Sequence, residues 1–461
     1  MKKLLSRTKT EHDTLIYSDG TLLGKLVDSI VYSMDGAICY GIDPLEDSAD
    51  NKKLRNIRIL PGTKVIAKEA FLESVAIKDI ELPDSVEIIE ENAFLNSNIE
   101  NINLDNVLSF GESVFADSLI RNAVINKNAK FDISPNNGSS SCFSNCRLLE
   151  NIDFGPDVVP KHFCTNCSML KNFDHHDNLL RIDSFAFYSC GALENFVFPE
   201  GLRSIDDNAF SYSMLKSASF PSTLEMLGNQ VFRDCSVLSS ITFALSDTEL
   251  KIYGGCFIDT SLFSIFIPKN VMLEDSSIFR NCAALESVEI LSKIKELPSD
   301  TFNHCERLKN VILNPYIKSI GHTCFYGTAL EKITDAFKDI IFFDYQCFGR
   351  CKKLKFVHMP KKAALKSKIF VDCDNLELAI IESKDVSDTI FQNCPKNLHI
   401  IAPYFEDAFY FTQDKLTSYA TEKISEENID ILLGYMSFKE ISKMSDNFLH
   451  SKIQENKGII K

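Results

Sequence analysis

The sequence predicts an α/β repeat solenoid, with one short strand per unit of about 23 residues and a short helical or irregular convex side. Three observations carry this expectation. At 461 residues the chain exceeds the usual size of a single core, so it must divide or repeat. A Phe recurs at 71, 94, 115, 143, 163, 187, 210, 232, 257, 279, 302, 325, 348, 370 and 391, at intervals of 20 to 28 residues. Around it the apolar residues keep one order. Leu193-Glu-Asn-Phe196-Val-Phe198-Pro199-Glu-Gly-Leu202-Arg-Ser-Ile205-Asp-Asp-Asn-Ala209-Phe210 is echoed by Ile77-Lys-Asp-Ile80-Glu-Leu82-Pro83-Asp-Ser-Val86-Glu-Ile-Ile89-Glu-Glu-Asn-Ala93-Phe94.

The shared order is L-x-x-I-x-I-P-x-x-V-x-x-I-x-x-x-A-F-x-x-C, and each part has a physical task. I-x-I alternates inward and outward as a short strand does, and the Pro closes it. V-x-x-I and A-F return apolar groups to the same interior, so the Phe residues should form a column through stacked copies. Three residues after the Phe stands Cys146, Cys190, Cys235, Cys282, Cys305, Cys351, Cys373 or Cys394, or else Ser74, Ser97, Ser118, Ser213, Thr260 or Thr328. A tight buried turn accepts these small groups interchangeably, whereas a nucleophile or metal ligand could not be exchanged in this way.

These motifs resemble the BspA-like leucine-rich-repeat family over residues 54–402. The resemblance implies a curved leucine-rich-repeat solenoid with a strand per repeat, about 15 units in all, and a role in protein or cell-surface binding.

Residues 1–53 lack the A-F-x-x-C signature and are expected to cap the first repeat with hairpins at Asp19-Gly20 and Asp35-Gly36. The long interval before Phe143 holds the turn formers Asp132 to Ser141, an inserted surface loop. Residues 403–461 are expected to be helical. Part of that segment, from Ile429 through Ile453, faintly resembles the helix-turn-helix of response regulators, but the seven Lys and ten acidic residues of 403–461 make a poor phosphate surface.

A net charge of −15 excludes a broad nucleic-acid face. No signal-like h-region follows the basic start, and no stretch of about 18 apolar residues occurs, which makes a cytoplasmic chain the default and a secreted or surface protein the alternative. Fifteen cysteines follow the repeat and read as free thiols. Cys142, Cys146, Cys164 and Cys167 have zinc-like spacing, and His175-His176-Asp177 invites a metal, yet the repeat accounts for most of the first set and no third ligand is placed for the second. No catalytic motif is present, so no enzyme, cofactor or metal is expected.

Binding follows instead from the outward x of I-x-I, which runs Arg58, Glu81, Asn103, Asp153, Asp174, Val197, Ser219, Thr242, Phe266, Glu289, Ile312, Thr334, His358 and Ile380. Val197, Thr242, Phe266, Glu289 and Ile312 are the candidate partner contacts, with Phe266 the strongest anchor. The function expected is a non-catalytic scaffold recognising a macromolecule, a protein, on this face. A non-classically exported adhesin is the alternative, and a DNA-binding regulator the second alternative.

Overall fold

The structure, a computed structural model, describes residues 4–8, 14–17, 22–42, 55–133, 138–396, 398–401, 411–412 and 415–416. It divides into two compact units, Met1–Leu250 and Lys251–Lys461. The chain winds into about 14 parallel-strand turns, and a turn has three sides.

The first side is the I-x-I strand. In the first unit Asn56–Arg58, Asp79–Glu81 and Asn101–Ile102 pair in parallel, as do Asn122–Ile125, Asn151–Phe154 and Asn172–His175, and then Ser217–Phe220 with Ser240–Phe243. In the second unit Ser264–Ile267, Ser287–Ile290 and Asn310–Leu313 form one ladder. Lys332–Ile333, Phe356–Met359, Leu378–Ile381 and His399–Ile401 form another. The second side is the V-x-x-I step, a ladder of two-residue strands such as Val65–Ile66, Ile88–Ile89, Ser109–Phe110 and Lys130–Phe131.

The third side corrects the α/β expectation. Among the described residues the one helical stretch is a three-residue 3-10 turn, Asp335–Phe337. The reason lies in the backbone around each Phe. Residues two before and two after it take positive φ, for example Asn92 (57°) and Asn96 (54°) around Phe94, or Asp300 (56°) and His304 (58°) around Phe302. A left-handed residue every fourth position cannot belong to an α-helix. Asn, Asp, Ser and His hold most of these sites because their short polar side chains tolerate that region best. Alternate N–H groups are thereby aimed at the next turn: Glu69, Phe71 and Glu73 donate to the carbonyls of Glu91, Ala93 and Leu95. The remaining N–H groups close three-residue steps within the turn, such as Ser74 to Phe71. The N–H groups from Glu69 to Ser74 are thus all bonded without a helix.

The Phe column fills the interior. Rings 71, 94, 115 and 143 stack, as do 187, 210 and 232, and 257, 279, 302, 325, 348, 370 and 391, at 5.1–5.9 Å with planes within 22°. Phe163 is not a member. Positive φ at His162 and Asn166 centres that turn on Cys164, whose N–H donates to Ala186 in the way Phe71 donates to Ala93. Cys164 therefore occupies the Phe place and Phe163 the Ala place, and the Phe163 ring meets Phe143 edge-on at 78°.

At the start of the first unit, Leu4–Thr8, Thr14–Tyr17, Leu22–Val27, Ile30–Tyr32 and Ile38–Ile42 form an antiparallel meander. Its last strand pairs in parallel with Val65–Ile66 and so passes into the solenoid ladder. Asp28 (φ 48°) and Ser29 (φ 67°) make a two-residue mirror-image turn between the third and fourth strands. Gly41, at φ 101°, lies where a Cβ would stand 1.6 Å from the Ala70 carbonyl oxygen, so only Gly fits. Within 403–461, where helix was expected, the two described pieces, Phe411–Thr412 and Lys415–Leu416, pair instead as antiparallel strands; the rest of that segment with its helix-turn-helix resemblance, and the Asp19-Gly20 turn, lie outside the described residues, as do 134–137 of the inserted loop. No helix among the described residues is long and apolar enough to cross a membrane.

Candidate partner-binding face

Alternation along the first-side strands sets what faces outward. Ala123, Ile125, Ile152 and Phe154 are buried, while Val124 and Asp153 between them are exposed. Ile265 and Ile267 are buried on either side of Phe266, which is 45% exposed.

In the first unit the outward face is polar and internally paired. Arg58 meets Glu81 on the next strand at 2.6 Å. Two residues earlier in the strand, on the same face, an amide ladder runs, with Asn101 donating to Asp79, Asn151 to Asn122 and Asn172 to Asn151. At the strand entrance a column of alternating charge runs from Lys78 through Glu100, Arg121 and Glu150 to Lys171, with separations of 2.6–3.9 Å. Hydrogen bonds from Lys78 and then Arg121 hold the Glu100 carboxyl below its ordinary range, and Lys171 does the same for Glu150. Val124, Asp153 and Asp174 sit opposite one another on three consecutive strands. Val124 is absent from the outward row read from the sequence, although Ala123-Val124-Ile125 follows the inward, outward, inward rule and could have revealed it.

Val197 is 74% exposed, on a segment that leaves the ladder. Two buried Phe rings, 196 and 198, occupy the positions on either side of it, with centroids 4.9 Å apart. His175 Nε2 lies 2.6 Å from the Val197 carbonyl and takes the place of a ladder bond, while its Nδ1 faces the His176 carbonyl. Thr242 is exposed and donates to Ser219 Oγ at 3.0 Å. One turn separates it from Val197, and the two do not pair.

The second unit brings three of the candidates together. Phe266, Glu289 and Ile312 are direct neighbours on consecutive strands. Ile312 is 56% exposed, and Phe263 (54%) and Tyr316 (64%) bracket the same strands. The row then ends. Ile380, expected outward, is fully buried, and His358 is bonded to the buried Glu382 at 2.8 Å.

The cysteines serve the interior. Cys146, Cys235, Cys282, Cys305, Cys351, Cys373 and Cys394 each donate to the Phe carbonyl of the preceding turn at 2.9–3.2 Å. Ser97 and Thr328 at the same place donate to their own Phe carbonyl. Burial pushes the Cys235 thiol up to about 11 and those of Cys39 and Cys394 to about 12, so they hold their protons at neutral pH. Cys146 and Cys167 spend theirs on the Phe115 and Phe143 carbonyls. Among the described residues no three His, Cys, Asp or Glu side chains converge as metal ligands do.

The model of the BspA type leucine rich repeat region matches residues 47–159, 157–286 and 274–398. No curated protein matches the chain. Among solved structures it is similar to a leucine-rich repeat protein from Bacteroides ovatus, at 22% identity and TM-score 0.58, over 82% of this chain and 93% of that one. It is also similar to a leucine rich cell surface protein from Faecalibacterium prausnitzii, at 17% identity and TM-score 0.39, over 82% and 95%.

Proposed function

Since the chain belongs to the BspA type leucine-rich-repeat family, we propose that it is a non-catalytic scaffold that binds a protein partner on its outward strand face. The observation that carries this reading is the Phe266, Glu289, Ile312 row, two exposed apolar side chains flanking a carboxylate on adjacent strands. Exposed rings and aliphatic groups set among polar neighbours are what partners anchor on. The ladder fixes their spacing before any partner arrives, so little ordering cost remains at binding. Val197 and Thr242, with one turn between them and no pairing, are separate further contacts in the first unit.

A photo-cross-linking side chain at Ile312 should capture the partner in the native host. Affinity of the purified partner should then fall at least about tenfold with Phe266→Ala, or about 1.4 kcal/mol, while the thermal midpoint stays put. A captured partner whose affinity is unchanged by Phe266→Ala and by Ile312→Ala together would reject the assignment.

A further inference from the structure

The corner between the first and second sides is a tight turn, closed where the N–H at the V position returns to the carbonyl three residues before it. Val271, Ile317, Ile340 and Ala363 donate in this way to Pro268, Asn314, Phe337 and Pro360. The two middle residues of each such turn lie outside the core. In the first unit the turns closed the same way hold Asp84, Asp105, Asp177 and Glu200 against one base, Lys127. In the second unit the sign reverses. Its turns hold Lys269, Lys338, Lys361 and Lys362 against one acid, Asp339, and Lys293 precedes Ile294 in the turn between the first two of them.

These second-unit turns are consecutive. The ladder of Ser264–Ile267, Ser287–Ile290 and Asn310–Leu313 joins the first three, and that of Glu296–Leu297, Ser319–Ile320, Phe342–Phe343 and Ala364–Leu365 carries the column on. A rise of about 4.8 Å per turn sets Lys361 about 19 Å from Lys269, the reach of about six extended residues. Lys269, Lys293, Lys338 and Lys362 are exposed, and among the described residues none of them has an ion-pair partner. Like charges held one above another repel, so an anion lying along the column is favoured.

The positive strip is narrow. Glu274 and Glu296 border it on the second side and Glu289 on the first. A bilayer or a nucleic-acid duplex would press its phosphates against these carboxylates as well. A single nucleic-acid strand uses stacking platforms along its track, and Tyr316 is the one exposed ring in these turns. An extended polypeptide is one chain wide and needs neither.

We infer that this lysine column binds an acidic polypeptide segment, a run of Asp or Glu lying along the corner of the second unit. The inference rests on the protein-partner reading and names the chemistry of a segment the partner carries: Ile312 of the apolar row runs directly into the corner turn that holds Tyr316.

The test is fluorescence anisotropy of a labelled peptide of about eight Glu residues, long enough to span the column, with the full chain. The peptide should bind, and more weakly as salt rises from about 20 mM to about 200 mM. Lys269→Glu, Lys293→Glu and Lys338→Glu together should weaken it at least about tenfold, and Gln at the same three positions at least about threefold. An equal charge change in the first unit, Lys64→Glu with Lys127→Glu and Lys130→Glu, should alter it by less than about twofold. No binding, or equal losses from the two sets of substitutions, overturns the inference. Tighter binding of oligothymidylate, a heparin oligosaccharide or phosphatidylserine vesicles through the same lysines overturns it too, as does a salt-sensitive dimer of the chain alone that the same substitutions disperse. The peptide carries no apolar group, so its failure to bind leaves the Phe266 assignment standing, and a failure of that assignment leaves the peptide result standing.

Discussion

Alkaline pH should unfold this protein through its thiols. In the first unit burial raises Cys39, Cys142, Cys146, Cys164, Cys190 and Cys235, and in the second Cys305, Cys324, Cys347, Cys373 and Cys394. An unfolded thiol ionises near pH 8.5, so above that pH the unfolded chain gives up protons that the folded chain keeps. Stability from these groups is complete below about pH 8.5 and is lost as pH climbs toward the folded values. At pH 9 an unfolded thiol gains RT ln(1 + 10^0.5), about 0.8 kcal/mol. Six such groups cost the first unit about 5 kcal/mol, comparable to the whole stability of an ordinary domain, whereas in the second the roughly 4 kcal/mol from five raised thiols is partly offset by Cys282 and Cys351, whose thiols, despite burial, hydrogen bonding lowers. The assay is urea unfolding under reducing conditions at half-unit steps from pH 7 to pH 9.5, followed by circular dichroism. Cys235→Ser should narrow the pH 7 to pH 9 difference by about 0.8 kcal/mol, since Ser holds the same place in other turns. A loss below about 2 kcal/mol between pH 7 and pH 9 would refute the reasoning, because the thiols would then be ionising in the folded chain or already protected in the unfolded one.

Two further outcomes follow from the packing and the charges. Phe279, fully buried between Phe257 and Phe302 at 5.3 and 5.7 Å, should cost about 3–5 kcal/mol on truncation to Ala, while Phe266→Ala should cost under about 0.5 kcal/mol in the same urea assay. Glu100→Gln should lower stability by no more than about 1 kcal/mol at neutral pH and low salt. Because the folded carboxyl lies below its ordinary range, that difference exists above the usual Glu value, closes as pH falls below about 4, and shrinks in about 0.5 M salt.

The period, the strand register and the interior ring column were legible because each rests on side chains repeated in place, as Ile265-Phe266-Ile267 illustrates. What escaped the sequence was written in the backbone. Nothing in Glu91-Asn92-Ala93-Phe94 announces a left-handed Asn every fourth residue, and an apolar A-F pair reads equally well as the start of a helix. The displaced turn at Phe163 did leave a trace, since its small residue, Cys167, follows by four positions and not by three. Ile380 was misplaced for a different reason. Alternation tells which way a side chain points but not whether it is exposed there.

The charge column beside the strands bears on how the chain finds its own order. Turns built on one consensus are nearly interchangeable in their apolar contacts, so a folding solenoid risks leaving a turn out and stacking its neighbours directly. In Lys78, Glu100, Arg121, Glu150 and Lys171 the sign flips at each turn. Omitting one turn would set Lys78 beside Arg121, or Glu100 beside Glu150, and like charges at facing positions repel. Over these five turns the alternation of sign therefore adds a small penalty to a single skip for each like pair it creates.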